Sequence, residues 1–279
     1  MSENNPFPGE NNTGHIWDDN LRELLNEPPG WWRIGFHASW ICVVLYTIWY
    51  PSWPLIDGHF KGVSGWTSIG EYKEDLSAIE EIRAPYEAKL QGMSAAAILA
   101  DDELSSYVSA SAKVLFGDNC AACHGSGGQG GPNFPVLADD DWLYGGSIDA
   151  IQASISNGRQ GMMTAHGKTL SSDEVDSLAQ SIVDGNVTGN ALYMGKACFA
   201  CHGADGKGMA ALGSANLTDS IYRFAGDQLE SVKYTISHGV NDPSDAETRN
   251  AVMPKFGDKL SETDIKKLAV YVRKMGGGQ

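Results

Sequence analysis

The first thirty residues are polar and interrupted by Pro6, Pro8, Gly9, Gly14, Pro28, Pro29 and Gly30, which predicts a flexible arm (1–30) with one short helix around Asp18 to Leu25. From Trp31 to Tyr50 the pattern becomes WWRIGFHASWICVVLYTIWY, and no acid, Lys or Arg follows Arg33 until Asp57. At about 1.5 Å per residue the run 31–50 covers about 30 Å, the hydrocarbon thickness of a bilayer. Trp31, Trp32, Trp49, Tyr50 and Trp53 bracket it as interfacial aromatics would, and Pro51 and Pro54 end it, so one transmembrane helix is expected. The long acidic leader and the Pro-Ser-Trp-Pro exit do not fit a cleaved signal peptide, which favours an uncleaved anchor.

A connector, 51–102, follows. Its first part is rich in Gly, Pro and aromatics without a period. From Glu71 to Gln91, Leu76, Ile79, Ile82, Tyr86 and Leu90 recur at helical spacing among charged residues, with Pro85 expected to kink or divide the helix.

From Asp101 the chain repeats one plan. An offset of 78 superposes Gly117 on Gly195, Cys120 on Cys198, His124 on His202 and Gly130 on Gly208; an offset of 90 superposes Met163 on Met253, Leu170 on Leu260, Ser171 on Ser261 and Leu178 on Leu268. The second copy therefore holds 12 extra residues before its methionine. Each copy predicts a helix, a Gly-rich loop, a short amphipathic helix (Asp149 to Ile155; Gln228 to Ile236), a methionine loop and a closing helix. Ser171-x-x-Glu174 and Ser261-x-x-Asp264 are N-cap signals for the closing helices. Period-two patterns are nearly absent, so the fold class is mainly α, with tandem domains at 103–187 and 188–279.

Composition narrows the partners. The formal charge of −15 disfavours nucleic acid and anionic surfaces and favours a partner with a basic face. Four of the five cysteines lie in Cys120-Ala121-Ala122-Cys123-His124 and Cys198-Phe199-Ala200-Cys201-His202; Cys42 lies in the apolar run as a packing residue. C-x-x-C-H is the attachment pattern of haem c: two thiols add to the porphyrin vinyl groups and the adjacent imidazole becomes an axial ligand. Zinc or thioredoxin-like readings leave both histidines unexplained, and four cysteines are too sparse for a disulfide framework. Two covalently bound haems c are expected.

An electron-carrying haem iron held by His needs a sixth ligand, and a thioether raises its potential. Met162 and Met163 compete in the first copy. The repeat favours Met163, because Met163 and Met253 both stand seven residues before the leucine that opens the closing helix. Met194, Met209, His166 and His238 have no counterparts. Spacing alone makes own-half ligation the simplest arrangement, with ligation of the other half's iron left open.

The anchor, the tandem motifs and the methionine loops together resemble the dihaem, membrane-anchored subunit of cbb3-type cytochrome c oxidases, the CcoP/FixP family. Thr13-Gly14-His15-x-Trp17-Asp18, Pro51-x-Trp53-Pro54-Leu55, Gly65-Trp66-Thr67-Ser68, Asp141-Trp142-Leu143-Tyr144-Gly145-Gly146 and Asn216-Leu217-Thr218-Asp219 extend the resemblance over nearly the whole chain. It implies two class I cytochrome c domains in an electron-transfer subunit with no catalytic residues of its own. Electrons would come from a donor c-type cytochrome and pass toward a haem-copper catalytic subunit, beside a further membrane-anchored cytochrome c subunit. Because haem c is attached outside the bacterial cytoplasmic membrane, the haem domains are expected on the periplasmic side. Thr164 and Tyr222-Arg223-Phe224 depart from the family pattern and leave the ligands in place. A free-standing tethered shuttle, a dihaem peroxidase and a haem-based gas sensor are the competing functions. A peroxidase needs an open iron position, against two repeat-matched methionines, and a sensor needs an output domain that this chain lacks.

Overall fold

The computed structural model describes residue 7 and residues 9–18, 20–224 and 226–277. Residues 1–6, 8 and 19 of the expected arm, and 278–279 at the end of the second expected domain, lie outside the described residues. The chain divides into two compact units, Met1–Ile82 and Arg83–Gln279.

In the first unit the helix expected around Asp18 to Leu25 is replaced by a hairpin, β1 (Asn12–Trp17) and β2 (Leu21–Leu24). Trp17 pairs with Leu21 and Ile16 with Arg22 across a turn in which Asp18 takes a positive φ of 47°. The period-two alternation of β1, with Ile16 and its neighbours alternately half-buried and exposed, gives β2 a strand to pair with and prevails over the expected helix. Helix α1 (Gly30–Trp49) forms where the apolar run predicts it, and none of its residues is buried. Among the described residues no helix is long and apolar enough to cross a membrane. A small second hairpin, β3 (Pro54–Leu55) with β4 (Gly58–His59), follows α1.

Helix α2 (Ser68–Gln91) is continuous, so Pro85 does not divide it. After it come α3 (Ala95–Ala100), α4 (Asp102–Asn119), α5 (Ala121–His124), α6 (Ile148–Asn157) and α7 (Ser172–Val183). A 3₁₀ turn, Val187–Gly189, leads to α8 (Ala191–Gly195), α9 (Phe199–His202), α10 (Gln228–His238) and α11 (Glu262–Arg273). The starts follow from N-caps written in the sequence. Ser171 and Glu174 close a reciprocal capping box, and Ser261 accepts from the Asp264 N–H. The helix that leads into the second motif, α8, is a single turn, whereas its counterpart α4 has 18 residues.

The second unit holds two lobes, and their packing crosses the repeat. In the first lobe α11, from the second copy, packs on α4 and α6, and Ile265, Leu268, Ala269 and Val272 join Phe116, Ile151 and Ile155 in one core. In the second lobe α7, from the first copy, packs on α10 and α8, where Leu170, Val175 and Leu178 meet Tyr193 and Ile236. The joint 184–190 explains this exchange. It is short and carries the buried Val187, so it holds α7 beside α8 and commits the first copy's closing helix to the second lobe.

Arg223 ties the lobes together: its Nη2 donates to Asp141 Oδ2 (2.7 Å) and to the Asp141 carbonyl. Burial pushes the Asp141 carboxyl up, Arg223 opposes that push, and Asp219 and Asp139 add to it. Arg223→Leu would leave a largely buried carboxylate beside two others, and is expected to cost about 3 kcal/mol. Urea unfolding followed by far-ultraviolet circular dichroism reads this as a lower midpoint; an unchanged midpoint would show that the pair does not secure the lobes.

Candidate functional site

Each C-x-x-C-H motif is built on a one-turn helix, α5 or α9, with its first cysteine, Cys120 or Cys198, at the N-cap and its second, Cys123 or Cys201, within the turn. Both helices end on a glycine with positive φ, Gly125 at 75° and Gly203 at 80°. Burial pushes the Cys120 thiol up to about 11, with Cys123 adding to the effect, and burial likewise raises Cys198.

The histidines are oriented in the same way in both lobes. His124 Nδ1 lies 3.0 Å from the Pro135 carbonyl oxygen and His202 Nδ1 lies 2.9 Å from that of Ala215. A carbonyl only accepts, so Nδ1 carries the proton and the Nε2 lone pair is left for a metal. Burial holds both imidazoles below the ordinary histidine range, which keeps them neutral as a ligand must be; the nearby His166 lowers His202 further. Two thiols and a neutral, pre-oriented imidazole on one turn fit a covalently held haem.

The methionine loops come from the opposite copies. Met253 exchanges both backbone hydrogen bonds with Arg159 (2.9 and 2.8 Å), and Phe256 and Gly257 donate to the carbonyls of Ile155 and Ser156 on α6. Met253 packs against the same core as Cys120. Reciprocally, Met163 exchanges both bonds with Val240 (2.9 and 2.9 Å), while His166 and Gly167 donate to Ile236 and Ser237 on α10. Each methionine loop therefore packs in the lobe of the other copy's motif and not in that of its own. Met162 is 68% exposed, whereas Met163 is half-buried; Met194 is also exposed. His238 ends α10, with its Nδ1 3.3 Å from Asp245 Oδ1.

Sequence reasoning missed the residues that hold the Met163 loop. They lie in the extra segment of the second copy. Asn241 Nδ2 donates to the Gly161 and Ala251 carbonyls (2.6 and 2.9 Å), and Asp242 Oδ2 accepts from the Ala165 N–H at 2.7 Å. The Ala165 and Ser244 amides hold the Asp242 carboxyl below the usual carboxylate range. The 12-residue excess is the signal that marks this segment, because an insertion between ligand positions has to be structured against something.

Two small helical lobes, each with its C-x-x-C-H turn, its oriented histidine and a methionine loop, define a dihaem c-type cytochrome that carries two haems c. Residues 9–57 match the N-terminal domain of cytochrome oxidase-cbb3, FixP; residues 109–180 match cytochrome c oxidase, cbb3-type, subunit III; and residues 187–276 match cytochrome c. Among curated relatives, the cbb3-type cytochrome c oxidase subunit FixP of Azorhizobium caulinodans is 40% identical over 97% of this chain and 94% of its own. FixP of Bradyrhizobium diazoefficiens is 37% identical over 100% and 99%, and the subunit CcoP of Cereibacter sphaeroides is 34% identical over 98% and 97%. The chain belongs to the FixP/CcoP family of cbb3-type cytochrome c oxidase subunits.

Proposed function

We propose that the chain is the electron-entry subunit of a cbb3-type oxidase, with His124 and Met253 as axial ligands in the first lobe and His202 and Met163 in the second. The observation that carries this reading is the reciprocal pairing of each methionine loop with the other copy's helix, which brings one thioether into each lobe. When bound, the two haems supply one-electron redox chemistry. The protein attaches them through Cys120, Cys123, Cys198 and Cys201, orients each imidazole through a backbone carbonyl, and closes each site with a thioether. Tyr144, which precedes α6, lies against Gly213 of the second lobe; with Arg223 and Asp141 it keeps the two sites in a fixed relation, as stepwise transfer within one chain requires.

Electrons enter from a donor c-type cytochrome and leave toward the haem-copper subunit, where oxygen is reduced to water and protons are moved, beside a further membrane-anchored cytochrome c subunit. By itself the chain reduces no oxygen. It is held in the bacterial cytoplasmic membrane by α1 as a single-pass anchor, with the lobes on the periplasmic side. The length of α1, the absence of any buried residue in it and its flanking aromatics support the anchor. Arg33, His37 and the tryptophans lower its mean hydropathy, and a helix of this composition is held best against helices of partner subunits, where His37 finds a polar group. Extraction in mild detergent tests the reading: the chain is expected to co-purify with a haem-copper subunit, and elution as a free dihaem protein would reject it in favour of a tethered shuttle.

After Tyr50 the chain carries 18 Lys+Arg against 29 Asp+Glu, a formal −11. Such a surface accelerates the approach of a basic donor, and the steering weakens as the Debye length falls to about 8 Å at physiological ionic strength. Stopped-flow reduction by the cell's own donor is expected to slow as salt rises; a flat or rising rate would reject steering.

A further inference from the structure

Each haem c brings two propionate carboxylates into a chain whose formal charge is already −15, so a cation set beside them in either lobe would offset that charge. In the first lobe Arg159 is directly opposite Met253 in an antiparallel bridge, and directly opposed residues project their side chains from the same face. Its side chain therefore leaves the backbone on the face that carries the Met253 thioether. Arg159 Nε donates to Ser154 Oγ (2.8 Å) and its guanidinium lies 4.2 Å from the Tyr144 ring centroid. Among the described residues no carboxylate pairs with it, and its two terminal nitrogens have no protein acceptor.

The second lobe reaches the same arrangement by another route. Val240 stands opposite Met163, where Arg159 stands opposite Met253. The guanidinium comes instead from Arg249, in the inserted segment, which bridges to Val240 in parallel. Arg249 lies 4.4 Å from the Phe224 ring centroid and 4.7 Å from that of Tyr234, and its Nη2 donates to Ser231 O and Oγ (3.1 and 3.0 Å). Its Nε is buried with no partner, and no carboxylate pairs with it among the described residues. Phe224 precedes the Asp227 cap of α10 by three residues, as Tyr144 precedes the Ser147 cap of α6. Two unrelated chain positions thus deliver an acid-free, half-buried guanidinium to the same aromatic in each lobe.

We propose that Arg159 and Arg249 are the cations that hold a haem propionate, each in its own lobe. The inference rests on the two-haem reading. Arginine suits the task because its planar fork binds a carboxylate through paired hydrogen bonds and keeps its charge when buried.

The test uses the full chain with both haems attached, as Arg159→Gln, Arg249→Gln, the double variant and the corresponding lysine variants. Resonance Raman spectroscopy reads the propionate bending bands, and spectroelectrochemistry reads the two midpoint potentials. Each Gln variant is expected to shift part of the propionate envelope and lower one midpoint, because loss of a nearby cation favours the oxidised haem. The double variant should lower both, and lysine should restore the midpoints. The methionine-to-iron charge-transfer band, read in parallel, separates this inference from the ligand assignment. Loss of that band only in Met163→Leu or Met253→Leu reports on ligation. If the propionate bands and both midpoints stay unchanged in the Gln variants with the methionine band intact, or if Lys and Gln behave alike, the arginines are packing residues and the inference falls.

Discussion

In a chain that carries only the first haem, made by Cys198→Ala with Cys201→Ala, Met253→Leu is expected to open the iron to carbon monoxide, whereas Met163→Leu leaves it closed. The reciprocal chain, with Cys120→Ala and Cys123→Ala, should respond to Met163→Leu and not to Met253→Leu. The backbone decides this: Met253 is held by Arg159 and packs with the core of the first motif, and Met163 is held by Val240, two residues past the end of the second-lobe helix α10. Leucine fills most of the methionine's volume, so the effect is read at the iron rather than in the fold. A lost thioether lowers the potential, and a fall of about 0.1 V or more is expected within the about 0.8 V that axial ligation spans. Met162→Leu should do little, since that side chain is exposed. If Met163→Leu opened the first haem, the crossed assignment would be wrong.

The second large effect comes from two glycines that touch no iron. Gly158 ends α6 with φ 69° and Gly239 ends α10 with φ 67°. A Cβ at Gly158 would strike the Met253 carbonyl oxygen, and one at Gly239 would strike that of Met163. With ψ near 180° as well as positive φ, both positions are open essentially to glycine alone, so alanine there carries about 1–3 kcal/mol of backbone strain and about 1–3 kcal/mol of overpacking against backbone. The simplest relief is withdrawal of the methionine loop. Gly158→Ala is therefore expected to weaken the methionine-to-iron band of the first haem and Gly239→Ala that of the second, with lower thermal midpoints in both. Retention of both bands at wild-type intensity, with unchanged melting, would show that the loops are not held this closely.

Local chemistry made much of the molecule legible in one dimension. The repeated C-x-x-C-H turns need adjacent residues only, because thiols and imidazole must lie on one helical turn. The caps at Ser171 and Ser261 need four residues, and the choice of Met163 over Met162 needs only the comparison of two copies. The short helix expected around Asp18 to Leu25 does not form, because the alternation of 12–17 supplies a strand against which Leu21–Leu24 pairs. Pro85 sits inside α2 although its ring disfavours continuation, with Tyr86 and Leu90 of the same helix packed in the core formed with α3, α4 and α11.

The lobe in which each methionine loop packs was decided only in three dimensions. Spacing along the chain ranks own-half closure first, since a shorter loop costs less entropy to close. That ranking is overturned by the buried joint 184–190, which packs Val187 with α7 and α8 and so places the first closing helix in the second lobe. Once α7 is there, α11 has one vacancy left to fill, against α4 and α6, and burial of Ile265, Leu268, Ala269 and Val272 holds it. Motif identity is a property of neighbouring residues and is written locally; which methionine loop packs in which lobe depends on apolar surface brought together from distant parts of the chain, and the folded core settles it.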